Sequence, residues 1–74
     1  MQISVWGLGS VGLPLALTFA LNGVDVIGID VNEKHVENIK NASTHIYELF
    51  EGKSTNDVLR ELVGKKFFPT TDFY

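Results

Sequence analysis

Six residues near the start of the chain have types and a spacing that suit phosphate binding. Residues 7 to 12 read Gly-Leu-Gly-Ser-Val-Gly. In this pattern Gly7 permits a sharp turn, Gly9 lets backbone approach a pyrophosphate, and Gly12 lets a following helix pack close to its strand. The pyrophosphate then lies at the helix N-terminus, where free N–H groups and the helix dipole favour negative charge without a lysine. The pattern predicts a dinucleotide-binding site.

A carboxylate stands where such a site needs one. Asp30 ends the apolar run 24–29 and lies 18 residues after Gly12, near the offset of about 20 expected for an acid that binds the adenosine ribose. An aspartate accepts hydrogen bonds from both ribose hydroxyls and repels a 2′-phosphate. We therefore predict NAD rather than NADP as the cofactor. Taken alone, Asp30 would equally suit a strand end or a helix cap.

The elements that position these residues follow from periodicity and from turn-forming residues. Strands rich in β-branched residues are predicted at 2–6 and 25–29. Between them we predict a helix that is apolar almost all the way round and therefore buried. A second helix begins after Asn32 as its N-cap, and a third after Thr55 as its cap. The predicted helices span residues 10–21, 33–40 and 56–63, with a loop containing a short helical piece at 41–54.

A third strand is predicted at 67–71, and Pro69 places it at a sheet edge because proline cannot donate to a ladder on both sides. The expected fold is α/β, a Rossmann-type half domain (βαβαβ) with a parallel three-stranded sheet of order 3-2-1. Residues 1–74 are thus predicted to form one partial dinucleotide-binding domain. The outer edge of strand one would be unpaired, and exposed edges invite pairing. We therefore expect a possible homodimer through that edge.

Composition limits the classes of function. The chain has 74 residues, a net charge of −3 and no cysteine, so disulfides, zinc–thiolate sites and thiol nucleophiles within it are excluded. The charge gives no basic patch for nucleic acid or an anionic membrane. The apolar stretch from Val11 to Leu21 is too short to span a bilayer, and the cytoplasm is the expected location. His45 has no suitably spaced partners, so no metal site is predicted.

Several segments resemble one family. The stretches Gly-Leu-Gly-Ser-Val-Gly-Leu-Pro-Leu-Ala at 7–16 and Ile-Gly-Ile-Asp at 27–30 resemble the N-terminus of the nucleotide-sugar dehydrogenases, which include UDP-glucose 6-dehydrogenase and GDP-mannose dehydrogenase. Ile-Tyr-Glu at 46–48 and Thr-Thr-Asp at 70–72 extend the resemblance along nearly the whole chain. It implies an NAD-dependent, two-step oxidation of a sugar C6 alcohol to a carboxylate through a cysteine thioester.

The resemblance also assigns roles to individual residues. It implies pyrophosphate-loop positions at residues 7 and 9–12, the ribose acid at Asp30, and a nicotinamide-side contact at Thr71. No residue of this chain matches the family's catalytic cysteine or its helpers, so no catalytic residue is predicted and the chain alone is expected to be inactive. The predicted cofactor-binding residues are Gly7, Gly9, Ser10, Val11, Gly12, Asp30 and Thr71.

Departures from the family pattern and two alternatives stay open at this point. The family usually has Tyr at Ser10 and Lys or Arg at His35, and it has Pro-Gly where this chain has Leu49 and Phe50. We expect His35 to face solvent, Tyr47 to pack on the core, and Trp6 to pack in the core or at an interface. The alternatives are a fragment of a hydroxyacid or 6-phosphogluconate-type dehydrogenase, and a non-catalytic folding or assembly module.

Overall fold

The computed structural model describes residues 1–72 and builds a parallel sheet with helices packed against it. Along the chain the secondary-structure elements alternate as a β/α pattern with one hairpin inserted. They are β1 (Gln2–Trp6), α1 (Gly12–Leu21), β2 (Asp25–Ile29), α2 (Glu33–Lys40), β3 (Leu49–Phe50), β4 (Lys53–Ser54), α3 (Thr55–Leu62) and β5 (Phe67–Thr70).

The main sheet has the strand order β1-β2-β5, and both of its ladders are parallel. Val5 lies opposite Gly28, and Gly28 lies opposite Pro69. The predicted fold class and the order 3-2-1 are confirmed, since β5 is the third strand of this sheet. Pro69 lies in an edge strand of this sheet, as its missing N–H requires, since β5 neighbours only β2 in the described strand order. The strand ends at Thr70, one residue before its predicted end.

One face of the sheet packs against the helices and forms the hydrophobic core. Alternation along the strands turns Val26 and Phe67 to this face, where both are fully buried. Helices α1 and α3 supply most of the other side of the core. The buried cluster comprises Leu8, Leu13, Ala16, Leu17, Ala20, Val26, Ile39, Ala42, Ile46, Val58, Leu59 and Phe67.

The opposite face of the sheet is open. Trp6 is 62% exposed there, and Phe68 is 39% exposed. Of the two placements predicted for Trp6, packing in the core is therefore wrong. The open concavity has a volume of ≈ 600 Å³. It is lined by Gln2, Ser4, Trp6, Ile27, Ile29, Phe68, Pro69, Thr70 and Asp72.

Helix α1 is buried on one side only, and the prediction of burial almost all the way round is wrong. Leu13 and Leu17 are fully buried, whereas Leu15 is 49% exposed and Phe19 is 41% exposed. The helix contacts the sheet and α3, and these neighbours cover one side. The helix begins at Gly12, two residues later than predicted, and Pro14 lies in its first turn, where a missing N–H costs little.

The segment before α3 contains a β-hairpin where a short helical piece was predicted. Strands β3 and β4 pair in antiparallel fashion around Glu51 and Gly52, whose φ angles are 52° and 89°. Two consecutive positive φ angles are typical of the tight hairpin turn whose twist matches that of the strands. The glycine carries this turn, and a glutamate before it is an uncommon partner, which is why the sequence pattern did not indicate a hairpin.

Ser54, not Thr55, is the N-cap of α3. The Ser54 hydroxyl accepts a hydrogen bond from the Asp57 N–H at 3.2 Å. Thr55 is instead buried, and its hydroxyl accepts from the Glu48 N–H at 2.8 Å. The predicted cap of α2 is confirmed, since the Asn32 side chain accepts from the His35 N–H at 2.9 Å. Within residues 1–72, no helix is both long and apolar enough to cross a membrane.

Substitution of Gly28 by alanine should destabilise the fold. A Cβ at this position would lie 2.7 Å from Phe67 Cε1 and 2.9 Å from Leu8 Cδ2. Both side chains are fully buried, so neither can move aside at low cost. We expect Gly28→Ala to lose about 1–3 kcal/mol of unfolding free energy, as in other overpacked cores, measured by urea unfolding.

Gly9→Ala is the matched control, because a Cβ there meets nothing within 4 Å. It should unfold at the same urea concentration as the parent chain. Equal stability of Gly28→Ala and the parent would contradict the close packing at Gly28.

Candidate functional site

The glycine-rich loop leaves β1 through a tight turn. The Gly7 N–H still donates to the Ile29 carbonyl at 2.7 Å, continuing the β1–β2 ladder, and its φ of +89° then reverses the chain direction. Gly12 lies directly over this turn, because a Cβ on Gly12 would stand 1.7 Å from the Gly7 carbonyl oxygen. Any side chain at position 12 would therefore force the start of α1 away from β1.

The start of α1 presents free backbone donors. No side chain caps the helix, and no acidic residue lies in its first turn. The first hydrogen bonds onto the loop are from the Leu13 N–H to the Gly9 carbonyl at 3.0 Å and from the Leu15 N–H to the Val11 carbonyl at 3.2 Å. Among the described residues, the N–H groups of residues 9–12 donate to no protein acceptor. Together with the helix dipole they can bind an anion.

Asp30 is fixed against the loop by two backbone hydrogen bonds. Its Oδ2 accepts from the Leu8 N–H at 2.8 Å, and its Oδ1 accepts from the Asn32 N–H at 3.0 Å. These bonds, first that from Asn32 and then that from Leu8, hold the pKa of the Asp30 carboxyl below its ordinary value, and they outweigh its partial desolvation. The charge of His35 lowers this pKa further. Asp30 is therefore an anion at neutral pH.

His35 contacts the loop instead of facing only solvent, and that prediction is wrong. Its Nε2 donates to the Leu8 carbonyl at 2.6 Å, and the residue is half-buried. Its ring lies 5.8 Å from that of His45, centroid to centroid. In the sequence, the only sign that His35 lies next to the loop was its departure from the family pattern, which usually has Lys or Arg at this position.

A cavity of ≈ 530 Å³ brings the loop, Asp30 and the segment before β3 together. Tyr47 lies on this cavity and is 68% exposed, so the prediction that it packs on the core is wrong. Within residues 1–72, no three His, Asp or Glu side chains cluster so as to hold a metal ion. The cavity is lined by Gly9, Ser10, Asp30, Asn32, His35, His45, Ile46, Tyr47 and Glu48.

The remaining predicted site residues lie around this cavity. Gly7 and Gly12 form the turn of the loop and do not line the cavity. Val11, in the same loop, is 80% exposed. Thr71 directly follows β5 and does not line the cavity. It is nevertheless close to the same strand ends, since the Asp30 N–H donates to the carbonyl of Thr70 at 3.1 Å.

The sequence interpretation missed Leu8, His35 and the segment 45–48 as parts of this site. Leu8 occupies a variable position of the glycine pattern, and its side chain is fully buried. The large apolar side chain of Leu8 between two glycines was the available signal that the loop is anchored in the core. Nothing in residues 45–48 indicated that a hairpin would bring them beside Asp30.

A family model matches residues 1–74 of the chain. It describes the NAD binding domain of the UDP-glucose/GDP-mannose dehydrogenase family. Protein CapL of Staphylococcus aureus is 46% identical over 72 residues, which is 97% of this chain and 17% of that protein. A UDP-N-acetyl-D-mannosamine dehydrogenase of Methanococcus maripaludis is 53% identical over 47 residues, 64% of this chain and 11% of that protein.

Solved structures show the same arrangement. A UDP-D-ManNAc dehydrogenase from Pyrococcus horikoshii matches 97% of this chain with a TM-score of 0.81 at 33% identity. A ternary complex of GDP-mannose dehydrogenase from Pseudomonas aeruginosa matches 99% with a TM-score of 0.77 at 30% identity. The chain corresponds to 16% of each of these two structures, so it spans less than a fifth of the relatives it matches.

Replacing Asp30 by asparagine should make stability less dependent on pH. An amide has one acceptor oxygen where the carboxylate has two, so either the Leu8 or the Asn32 N–H loses its partner. We expect Asp30→Asn to lose about 1–3 kcal/mol at neutral pH, measured by urea unfolding.

The sign of the pH dependence follows from the lowered pKa of folded Asp30. A group with a depressed pKa stabilises the fold above its unfolded pKa, and the contribution is lost as pH falls through the folded value. That value lies below 3.8, so the two stability curves should be separated at neutral pH and converge only below 3.8. A separation that stays constant as the pH falls further below 3.8 would contradict this role of Asp30.

Proposed function

Because the chain belongs to the UDP-glucose/GDP-mannose dehydrogenase family and matches its NAD-binding domain, we propose that its glycine-rich loop and Asp30 are the groups that hold NAD. The observation that carries the proposal is the pairing of free N–H groups at residues 9–12 with a fixed carboxylate across one cavity. A pyrophosphate needs the free N–H groups, and an adenosine ribose needs the carboxylate.

The loop fits the pyrophosphate on steric grounds. Gly9 has no protein atom within 4 Å of its missing Cβ position, so its lack of a side chain serves no internal packing. Gly9 and Ser10 both line the cavity. Gly7 and Gly12 maintain the turn. Gly9, Ser10 and Val11 leave room for the pyrophosphate to approach and supply backbone N–H donors.

Asp30 retains the capacity to bind ribose after it has fixed the loop. An ionised carboxylate offers about four lone-pair sites, and the hydrogen bonds from the Leu8 and Asn32 N–H groups occupy two of those of Asp30. The remaining lone pairs can accept hydrogen bonds from the 2′- and 3′-hydroxyls of the ribose. The same negative charge disfavours a 2′-phosphate, and Glu48 adds a second carboxylate residue to the cavity. The expected cofactor is therefore NAD and not NADP.

The activity of the longer protein is a further proposal. Its relatives are nucleotide-sugar dehydrogenases, and we infer that the whole protein oxidises the C6 alcohol of a sugar nucleotide with NAD as the hydride acceptor. Residues 1–74 would then bind and orient the cofactor, with Thr71 on the nicotinamide side. The chain has no cysteine for a thioester, so no catalytic step is assigned to it.

Calorimetric titration tests the cofactor assignment. We expect the chain to bind NAD and to bind NADP more weakly. Gly9→Ala should weaken NAD binding about tenfold, equivalent to 1.4 kcal/mol, because a methyl group would enter the pyrophosphate space. Its unfolding should stay that of the parent, which separates a lost ligand contact from a lost fold.

Undetectable binding at millimolar NAD would refute the assignment and favour a non-catalytic folding or assembly module. Equal affinity for NAD and NADP would refute the proposed role of Asp30 alone.

We further propose that two copies of this chain pair through the outer edge of β1. Strand β1 pairs with β2 on one side. The Gly7 N–H points to β2, and alternation in a parallel ladder then turns the Ser4 N–H to the opposite side. Two such edges together would form a continuous six-stranded sheet.

Sedimentation at increasing protein concentration tests the pairing. We expect a dimer for the parent chain and a monomer for Ser4→Pro, which removes an outward N–H and leaves the donors to β2 in place. Circular dichroism should show the same secondary structure for both chains. A parent chain that stays monomeric at high concentration would exclude the dimer.

A further inference from the structure

Four hydrogen bonds close a ring that joins the glycine-rich loop, the end of β2 and the start of α2. The Leu8 N–H donates to Asp30 Oδ2 at 2.8 Å, and the Asn32 N–H donates to Asp30 Oδ1 at 3.0 Å. The His35 N–H donates to Asn32 Oδ1 at 2.9 Å, and His35 Nε2 donates to the Leu8 carbonyl at 2.6 Å. Both polar groups of Leu8 are thus held by this ring.

The ring sets the orientation of the peptide between Leu8 and Gly9. The peptide bonds within residues 1–72 are trans, so the Gly9 N–H points antiparallel to the Leu8 carbonyl in one rigid plane. The His35 bond fixes the direction of that carbonyl and therefore the direction of the Gly9 N–H. This N–H is the first of the free donors at residues 9–12.

The anchors on either side of the bond are themselves rigid. The Leu8 side chain is fully buried in the core, and this burial fixes the position of the loop relative to the sheet. The backbone of His35 is held by the cap of α2, so its imidazole reaches the loop from a fixed helix start. Because Nε2 donates, it carries a hydrogen, and a side chain without a donor at that position cannot replace it.

We propose that His35 is a positioning residue for dinucleotide binding, which aims the Gly9 N–H at the pyrophosphate through the Leu8 carbonyl. The inference rests on the proposed function and deepens it. It assigns His35 to the phosphate part of the ligand, although the residue lies beside the ribose-binding carboxylate. Loss of the imidazole should therefore affect ligands with a pyrophosphate and spare ligands without one.

The test compares ADP-ribose with adenosine as ligands of the full chain. We expect His35→Ala to weaken ADP-ribose binding roughly three- to tenfold, the effect of one net hydrogen bond. Adenosine binding, followed by NMR titration, should be unchanged. His35→Gln, which restores an amide donor, should recover most of the ADP-ribose affinity.

Glu37→Ala is the control on the same helix. Glu37 is exposed and has no side-chain hydrogen bond or ion pair among those described. It should bind both ligands as the parent does. Amide spectra give a readout without ligand, since the Gly9 N–H and Leu8 carbonyl resonances should shift in His35→Ala and return in His35→Gln.

The possible outcomes separate this inference from the proposed function. Equal losses for adenosine and ADP-ribose in a folded His35→Ala chain would show direct contact with the nucleoside and overturn the positioning role. Unchanged ADP-ribose affinity would overturn it as well. A parent chain that binds neither ligand would refute the proposed function, and unshifted Gly9 and Leu8 resonances in His35→Ala would refute the bond itself.

Discussion

The close approach of Gly12 to the Gly7 carbonyl is the constraint on which the site depends. Because a Cβ there would lie 1.7 Å from the Gly7 oxygen, only glycine lets α1 begin directly over the end of β1. That placement aims the free N–H groups of the first turn at the strand ends, and it brings Leu13 and Leu17 onto the sheet. The same contact therefore builds both the proposed anion site and the first layer of the core.

A second level of order comes from polar groups that serve the fold and the site together. The Asp30 carboxylate accepts the Leu8 N–H and the Asn32 N–H, so it ties the loop to β2 before any ligand arrives. The two hydrogen bonds that hold this carboxylate in place also lower its pKa. Preorganisation of this kind reduces the entropy that binding must overcome. The residues proposed to bind ligand are thus held by contacts that the fold already makes.

Most of the fold was predictable because its signals are local. The glycines, the Asn32 cap and the β-branched strands determine β1, β2 and α2, and their predicted bounds match the structure. The hairpin at Glu51 and Gly52 was missed because its turn lacks the usual asparagine or aspartate. The exposed side of α1 was missed because apolar composition does not state how many neighbours surround a helix. The contact of His35 with Leu8 spans 27 residues and leaves no trace in local pattern.

The position of the candidate site relative to the two faces of the sheet explains how its contacts can lie in a chain that spans 16% of two solved relatives. The hydrogen bonds described for the loop join it to Ile29, Asp30, His35 and the start of α1, and the Leu8 side chain anchors it in the core. The residues of the open concavity lie on the sheet face away from this core. It follows that the backbone donors proposed to recognise phosphate are positioned by the core and by hydrogen bonds among residues 7–35.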